Sequence, residues 1–221
     1  MTRLLEGRNV LITGVASTDS IATATAAAAI AHGARVVVTA LPRDLERARA
    51  ACAELPSDET IEPLPFDITD VDAVGELREH LRTTVGHLDG ALHAIAFAPR
   101  PALASIGGVP SAALEVAVRT SVHSYAVLGE LLAALAPERG ASLVGLDFDA
   151  SRAWPTYNWM GVCKAALEST NRYLARRPRR AAHPDEPDRR RPADDPGGLS
   201  HRGLRPAPAR VGRRAVAMGR R

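Results

Sequence analysis

From residue 9 to residue 175, short apolar runs alternate with Ala-rich stretches of helical period, and few folds accept that grammar. The first strand is predicted over Asn9–Thr13 and the first helix over Ser20–His32, closed by Gly33. Arg35–Ala40 reads as a second strand and Pro42–Leu55 as a second helix. Ile61–Phe66 is a weaker third strand, interrupted by Pro63 and Pro65. Val71–Val85 follows as a helix with a cap at Asp70, and Leu88–Phe97 contains a fourth strand. Ser111–Leu135 reads as one long helix, closed by Pro137 and Gly140. Ser142–Phe148 is the fifth strand and Thr156–Ala175 the fifth helix. Continuous apolar strands separated by helices imply a parallel sheet covered on both faces, with right-handed crossovers. The expected fold is α/β, a doubly wound parallel sheet.

At residue 176 the grammar stops. Residues 1–175 carry 14 basic and 20 acidic residues, a net of −6, whereas residues 176–221 carry 14 arginines and 5 acids, a net of +9. The second stretch holds 7 of the 16 prolines and no aromatic residue, too little apolar surface to offset ordering. The expected organisation is one domain over 1–175 and a disordered tail over 176–221. The tail's Arg/Pro/Ala/Gly/Asp vocabulary is what a GC-rich gene yields out of frame, so a shifted frame or a mis-set end is the first reading. A basic arm for acidic partners is the alternative. No aromatics interleave with its arginines, so no nucleic-acid partner is expected. No apolar run reaches the roughly 18–20 residues that span a bilayer, and the start lacks a signal-peptide core. Cys52 and Cys163 offer neither a disulfide framework nor metal spacing. The expectation is a cytoplasmic protein without a metal.

Ligands of open α/β sheets bind at the carboxyl ends of the strands, and the informative residues lie there. After the first strand comes Gly14, which permits a tight turn, and then Ser20-Ile21, which open a helix whose free N–H groups favour a phosphate. The Gly-x-Gly-x-x-Gly fingerprint is absent, and a plain turn with a Ser cap accounts for the same residues. The second strand ends without the Asp or Glu that holds a ribose in many NAD sites. Leu41 stands there instead, an apolar surface for an adenine, followed by Arg43, a surface arginine or a partner for a 2′-phosphate. Asp67 and Ile68 follow the third strand, Asp67 being a possible acceptor for an adenine amino group or a turn residue. Small side chains in Ala94-Ile95-Ala96 close the fourth, leaving room for a dinucleotide.

The chain has one lysine, Lys164, against 27 arginines, and it lies seven residues after Tyr157. Seven helical residues advance about 700°, so the two project from nearly one face. A lysine ammonium is a compact charge with three rotatable donors, suited to bracketing a pair of sugar hydroxyls. Codon bias against lysine is the bland alternative.

With Gly14-x5-Ser20-Ile21-Ala22, Gly145-Leu-Asp147-Phe148-Asp149 and Tyr157-x6-Lys164 in place, residues 3–175 resemble the short-chain dehydrogenase/reductase superfamily. The six-residue gap between Tyr and Lys is similar to that of its NADH-dependent enoyl-acyl-carrier-protein reductases, of the kind found in mycobacteria and other actinobacteria. The resemblance implies a Rossmann-type sheet and an NADH site lined by Ser20, Ile21, Asp67, Ile68, Ile95 and Ala96. It implies that Lys164 holds the nicotinamide ribose and that Tyr157 donates to the thioester carbonyl of a trans-2-enoyl chain on acyl carrier protein. Phe148 then stands beside the nicotinamide where carbonyl-reducing relatives carry Ser. Met160, one turn beyond Tyr157, touches the acyl chain or packs in the core. The adjacent ammonium is expected to lower the pKa of the phenol. Relatives form homotetramers.

The departures from the family are also expectations. Ala94 replaces a frequent Ser and Ala96 a frequent Gly. The family's last two strands and its substrate-covering helix have no counterpart in 176–221. The acyl pocket would lack a wall, the sheet would end at an exposed edge, and activity would be low. A carbonyl-reducing dehydrogenase and an inactive NADH-binding fragment are the alternatives.

Overall fold

A computed structural model describes residues 3–176. The expectations for the rest of the tail fall outside the described residues. The strands are β1 (Asn9–Thr13), β2 (Arg35–Ala40), β3 (Leu64–Pro65), β4 (Gly90–His93) and β5 (Ser142–Gly145). They form one sheet in the order β3-β2-β1-β4-β5, and every pairing is parallel. This is the doubly wound, Rossmann-type α/β arrangement. β1 and β4 are neighbours from which the chain winds outward in opposite directions, and a crevice opens at such a point beyond the strand ends.

Alternation along β1 sends successive side chains to opposite faces. Ile12 joins Val38, Ala26, Ala48 and Ala51 under α1 (Ile21–Ala31) and α2 (Leu45–Ala53). Leu11 joins Leu77, Leu81, Leu128 and Leu132 under α3 (Val71–Thr84) and α6 (Ser124–Leu135). The alanines of α1 let that helix lie close to the sheet, so few aromatic side chains are needed to fill the core.

The amino ends of the strands are tied by one carboxylate. Asp89 accepts from the Asn9 N–H at 2.9 Å, from Arg8 at 3.0 Å and from Arg139, while its own N–H donates to Asn9 O and its carbonyl accepts from Ser142 N–H. Burial acts to raise the pKa of this carboxyl, but the bonds from Asn9, Arg8 and Arg139 outweigh it and hold the group below its usual range.

Several boundaries differ from expectation. Only Leu64–Pro65 of the third strand pairs with β2, because Pro63 and Pro65 have no N–H for the ladder. The helix expected as one piece over Ser111–Leu135 is α5 (Ser111–Val118), a π-helical turn at Arg119–His123, and α6. A short helix, α4 (Arg100–Ala104), precedes them unannounced by any periodicity. The last helix, α7 (Asn158–Ala175), begins two residues late because Thr156 (φ 62°) and Asn158 (φ 37°) lie in the left-handed region. Among the described residues β5 is an edge strand, and its Val144 is 48% exposed. No helix among them is long and apolar enough to cross a membrane.

Candidate active site

The turn after β1 and the segment after β4 touch. Gly14 has φ 80°, and a Cβ there would lie 2.3 Å from Ala94 O and 3.4 Å from Ile95 Cγ1. Only glycine tolerates both the conformation and the approach. Ser20 caps α1, its Oγ accepting from the Thr23 N–H at 3.1 Å, while Thr23 Oγ1 donates to Ser17 O at 2.6 Å. The helix entry is thereby fixed, and Ile21, 55% exposed, stands at its mouth. Leu41 is half-buried just after β2. Asp67 folds into its own turn, accepting from the Thr69 N–H at 2.9 Å and the Thr69 hydroxyl at 2.8 Å, and Ile68 is buried in the core. Ile95 is half-buried and Ala96 exposed. All these residues lie at the carboxyl end of the sheet.

The segment leaving β5 meets one face of α7. Lys164 is 5% exposed, and its Nζ donates to Leu146 O at 2.7 Å. Two residues on, the Phe148 ring packs against Tyr157 with centroids 4.8 Å apart. Tyr157 stands just before α7 and Lys164 within it, and each meets the segment leaving β5, Tyr157 at Phe148 and Lys164 at Leu146. The Tyr157 hydroxyl takes no hydrogen bond among the described residues, and Lys164 keeps two further N–H groups.

The electrostatics correct one expectation. The phenol of Tyr157 is raised, not lowered: burial dominates, and Asp147 and Cys163 push the same way. Burial lowers Lys164, opposed by Asp147 and Cys163. Asp147 is itself raised by burial foremost, with Glu168 adding and Lys164 opposing. Met160 is buried among Ala98, Ala102, Ala117, Val122 and Cys163, the packing environment that the sequence left open.

Trp154 was not legible as a site residue. Its ring lies 5.1 Å from that of Phe148, so Phe148 has two aromatic neighbours, Trp154 and Tyr157. A self-tied loop holds it: Trp154 Nε1 donates to Asp149 O at 2.8 Å, Ser151 N–H to Asp149 Oδ1 at 3.0 Å, and Arg152 pairs with Asp149 Oδ2 at 3.1 Å. Asp149-Ala-Ser151 carries the turn signal that could have marked this loop. His93 was missed as well. It is fully buried at the end of β4, 2.7 Å from Ser124 Oγ. That hydroxyl donates to Thr120 O at 2.6 Å, so Nε2 carries the proton and donates to it, and Nδ1 is left unpartnered. Burial and then Lys164 push the His93 pKa down to about 4.

The sequence also matches known proteins. A family model described as enoyl-(acyl carrier protein) reductase matches residues 14–181. An NADH enoyl-acyl-carrier-protein reductase of Mycolicibacterium smegmatis is 35% identical over 182 residues, covering 80% of this chain and 66% of the relative. The corresponding FabI reductase of Aquifex aeolicus is 37% identical over 177 residues, covering 78% and 64%. That of Neisseria meningitidis serogroup B is 34% identical over 177 residues, covering 77% and 66%. The chain therefore spans just under two thirds of the length of these relatives. A match over residues 14–181, three quarters of the chain, shows that it belongs to the enoyl-acyl-carrier-protein reductase family of short-chain dehydrogenases/reductases.

Proposed function

We propose that this chain reduces a trans-2-enoyl thioester, carried on acyl carrier protein, to the saturated thioester with NADH, a step of fatty-acid synthesis. The observation that carries the reading is the meeting of Tyr157 with Phe148 and of Lys164 with Leu146 O, which brings both residues to the segment leaving β5. The residues present fit a dinucleotide. The Gly14 turn is closed enough that no side chain fits over it, and the N-terminus of α1 opens behind it with free N–H groups. Leu41 offers an apolar face to the adenine, and the free Asp67 oxygen an acceptor. Ile95 and Ala96 complete the lining, with Ile68 packed in the core behind them, and Ser20 and Ile21 meet the phosphates. The two N–H groups of Lys164 not used on Leu146 O hold the ribose hydroxyls.

When bound, NADH supplies the hydride that C3 of the enoyl group accepts. The protein's part is electrostatic. Negative charge grows on the thioester oxygen, and the Tyr157 hydroxyl is the donor that meets it. Its raised pKa suits this role, because the phenol stays protonated at neutral pH and keeps its hydrogen to donate. Phe148, in contact with both Tyr157 and Trp154, fixes the Tyr157 ring and keeps water from that side.

The test is NADH consumption by the 221-residue chain on addition of a 2-enoyl thioester, with wild type and Tyr157→Phe compared. The expected loss in kcat is on the order of 10²–10³-fold with NADH affinity retained. An unchanged rate in Tyr157→Phe contradicts the assignment of the phenol.

A further inference from the structure

The π-helical turn Arg119–His123 takes an extra residue into the helix between α5 and α6. Such turns interrupt a regular ladder and are found mostly where the displaced residues have a task. Two serines in or beside this one face the end of β4. Ser121 is fully buried, and its Oγ accepts from the Phe97 N–H at 2.9 Å and donates to Phe97 O at 3.0 Å. A single hydroxyl thereby satisfies both backbone groups of one residue, as a neighbouring strand would. The neighbouring strands no longer do so, since the β4 pairings with β1 and β5 end at His93. His93 is in turn held by Ser124 at 2.7 Å. The segment from His93 to Phe97 is therefore fastened at both ends to the same turn. Between the ends lie Ala94, whose carbonyl closes on Gly14, and then Ile95 and Ala96. The Phe97 side chain is 50% exposed, so burial does not hold this residue in place.

We propose that Ser121 is a positioning residue of the dinucleotide crevice: its hydroxyl sets the seat of residues 94–97 over the Gly14 turn, and with it the surface that Ile95 and Ala96 offer to the cofactor. This rests on the reading of the crevice as an NADH site. It assigns Ser121 no contact with substrate or cofactor.

Two readouts test it, the NADH dissociation constant and the hydrogen exchange of the Phe97 amide without ligand. In Ser121→Ala the Phe97 amide exchanges faster while α7 is unchanged, and NADH binds about tenfold more weakly, the loss of one to two modest hydrogen bonds. Ser121→Thr keeps a hydroxyl and recovers most of the affinity. Should Ser121→Ala not fold, Ser121→Cys keeps the volume with a weaker donor and shows a smaller loss in the same direction. Faster exchange with unchanged NADH affinity overturns the inference, as does unchanged exchange. Wild-type protein that fails to bind NADH overturns the cofactor reading and this inference with it, and is told apart because the exchange readout needs no ligand.

Discussion

Lys164 donates to Leu146 O from a buried position, with its charge confined to one end of a thin stem. The planar fork of an arginine carries five donors against the three of an ammonium, so the two are not interchangeable at this position. The spacing of Tyr157 and Lys164 was legible as a motif, although Tyr157 stands before α7 and the left-handed Asn158 breaks the helical period between them. The direction of the phenol's pKa was not, since it follows from burial and from Asp147 and Cys163, which only the tertiary structure gathers. Nor was His93, whose role depends on Ser124, 31 residues away. Its pKa, lowered to about 4 in the folded chain, makes a prediction. Neutral His93 stabilises the fold fully above its ordinary value of 6.5, and that stability is lost as pH falls toward 4. The unfolding free energy from urea titrations should therefore decline over this window, by up to about 3 kcal/mol at its acid end. A His93→Gln variant should show a shallower decline, and an equal slope in both would remove His93 as the cause.

At the scale of elements, the alternation of apolar runs and helical stretches gave the parallel sheet because strands buried on both faces must be apolar throughout. Pro63 and Pro65 foretold a weak third strand, and the ladder there is two residues long. The π-helical turn left no trace in the sequence, since one extra residue in a helix changes no pattern that periodicity can register. α4 was too short to carry a period. The Gly14 turn lies tight against Ala94. A methyl there meets a backbone carbonyl at 2.3 Å and must also adopt φ 80°, and neither strain can relax through a flexible side chain. Gly14→Ala should cost about 2–3 kcal/mol in urea unfolding and weaken NADH binding. A variant with wild-type midpoint and affinity would show that the two segments are free to separate.

For the molecule as a whole, the two ends of the sheet do different work. The amino end is a structural knot: Asp89 joins the starts of β1 and β4, and Arg139 and Ser142 bring in β5. Its folded pKa is depressed, so its contribution is present above the ordinary 3.8 and lost only as pH falls through the lower folded value. Asp89→Asn should cost about 2 kcal/mol at neutral pH, and the difference from wild type should shrink on acidification below that range. A pH-independent difference would assign the cost to packing instead. The carboxyl end is the one to which the proposed chemistry is assigned, where the turn after β1 meets the segment after β4 and the segment leaving β5 meets Tyr157 and Lys164. The most direct test of the central claim is a calorimetric titration of NADH into wild-type protein and Lys164→Ala. The expected result is saturable binding to wild type and at least a tenfold weaker dissociation constant in the variant. Equal affinity in the two proteins, or no binding to wild type, would contradict it.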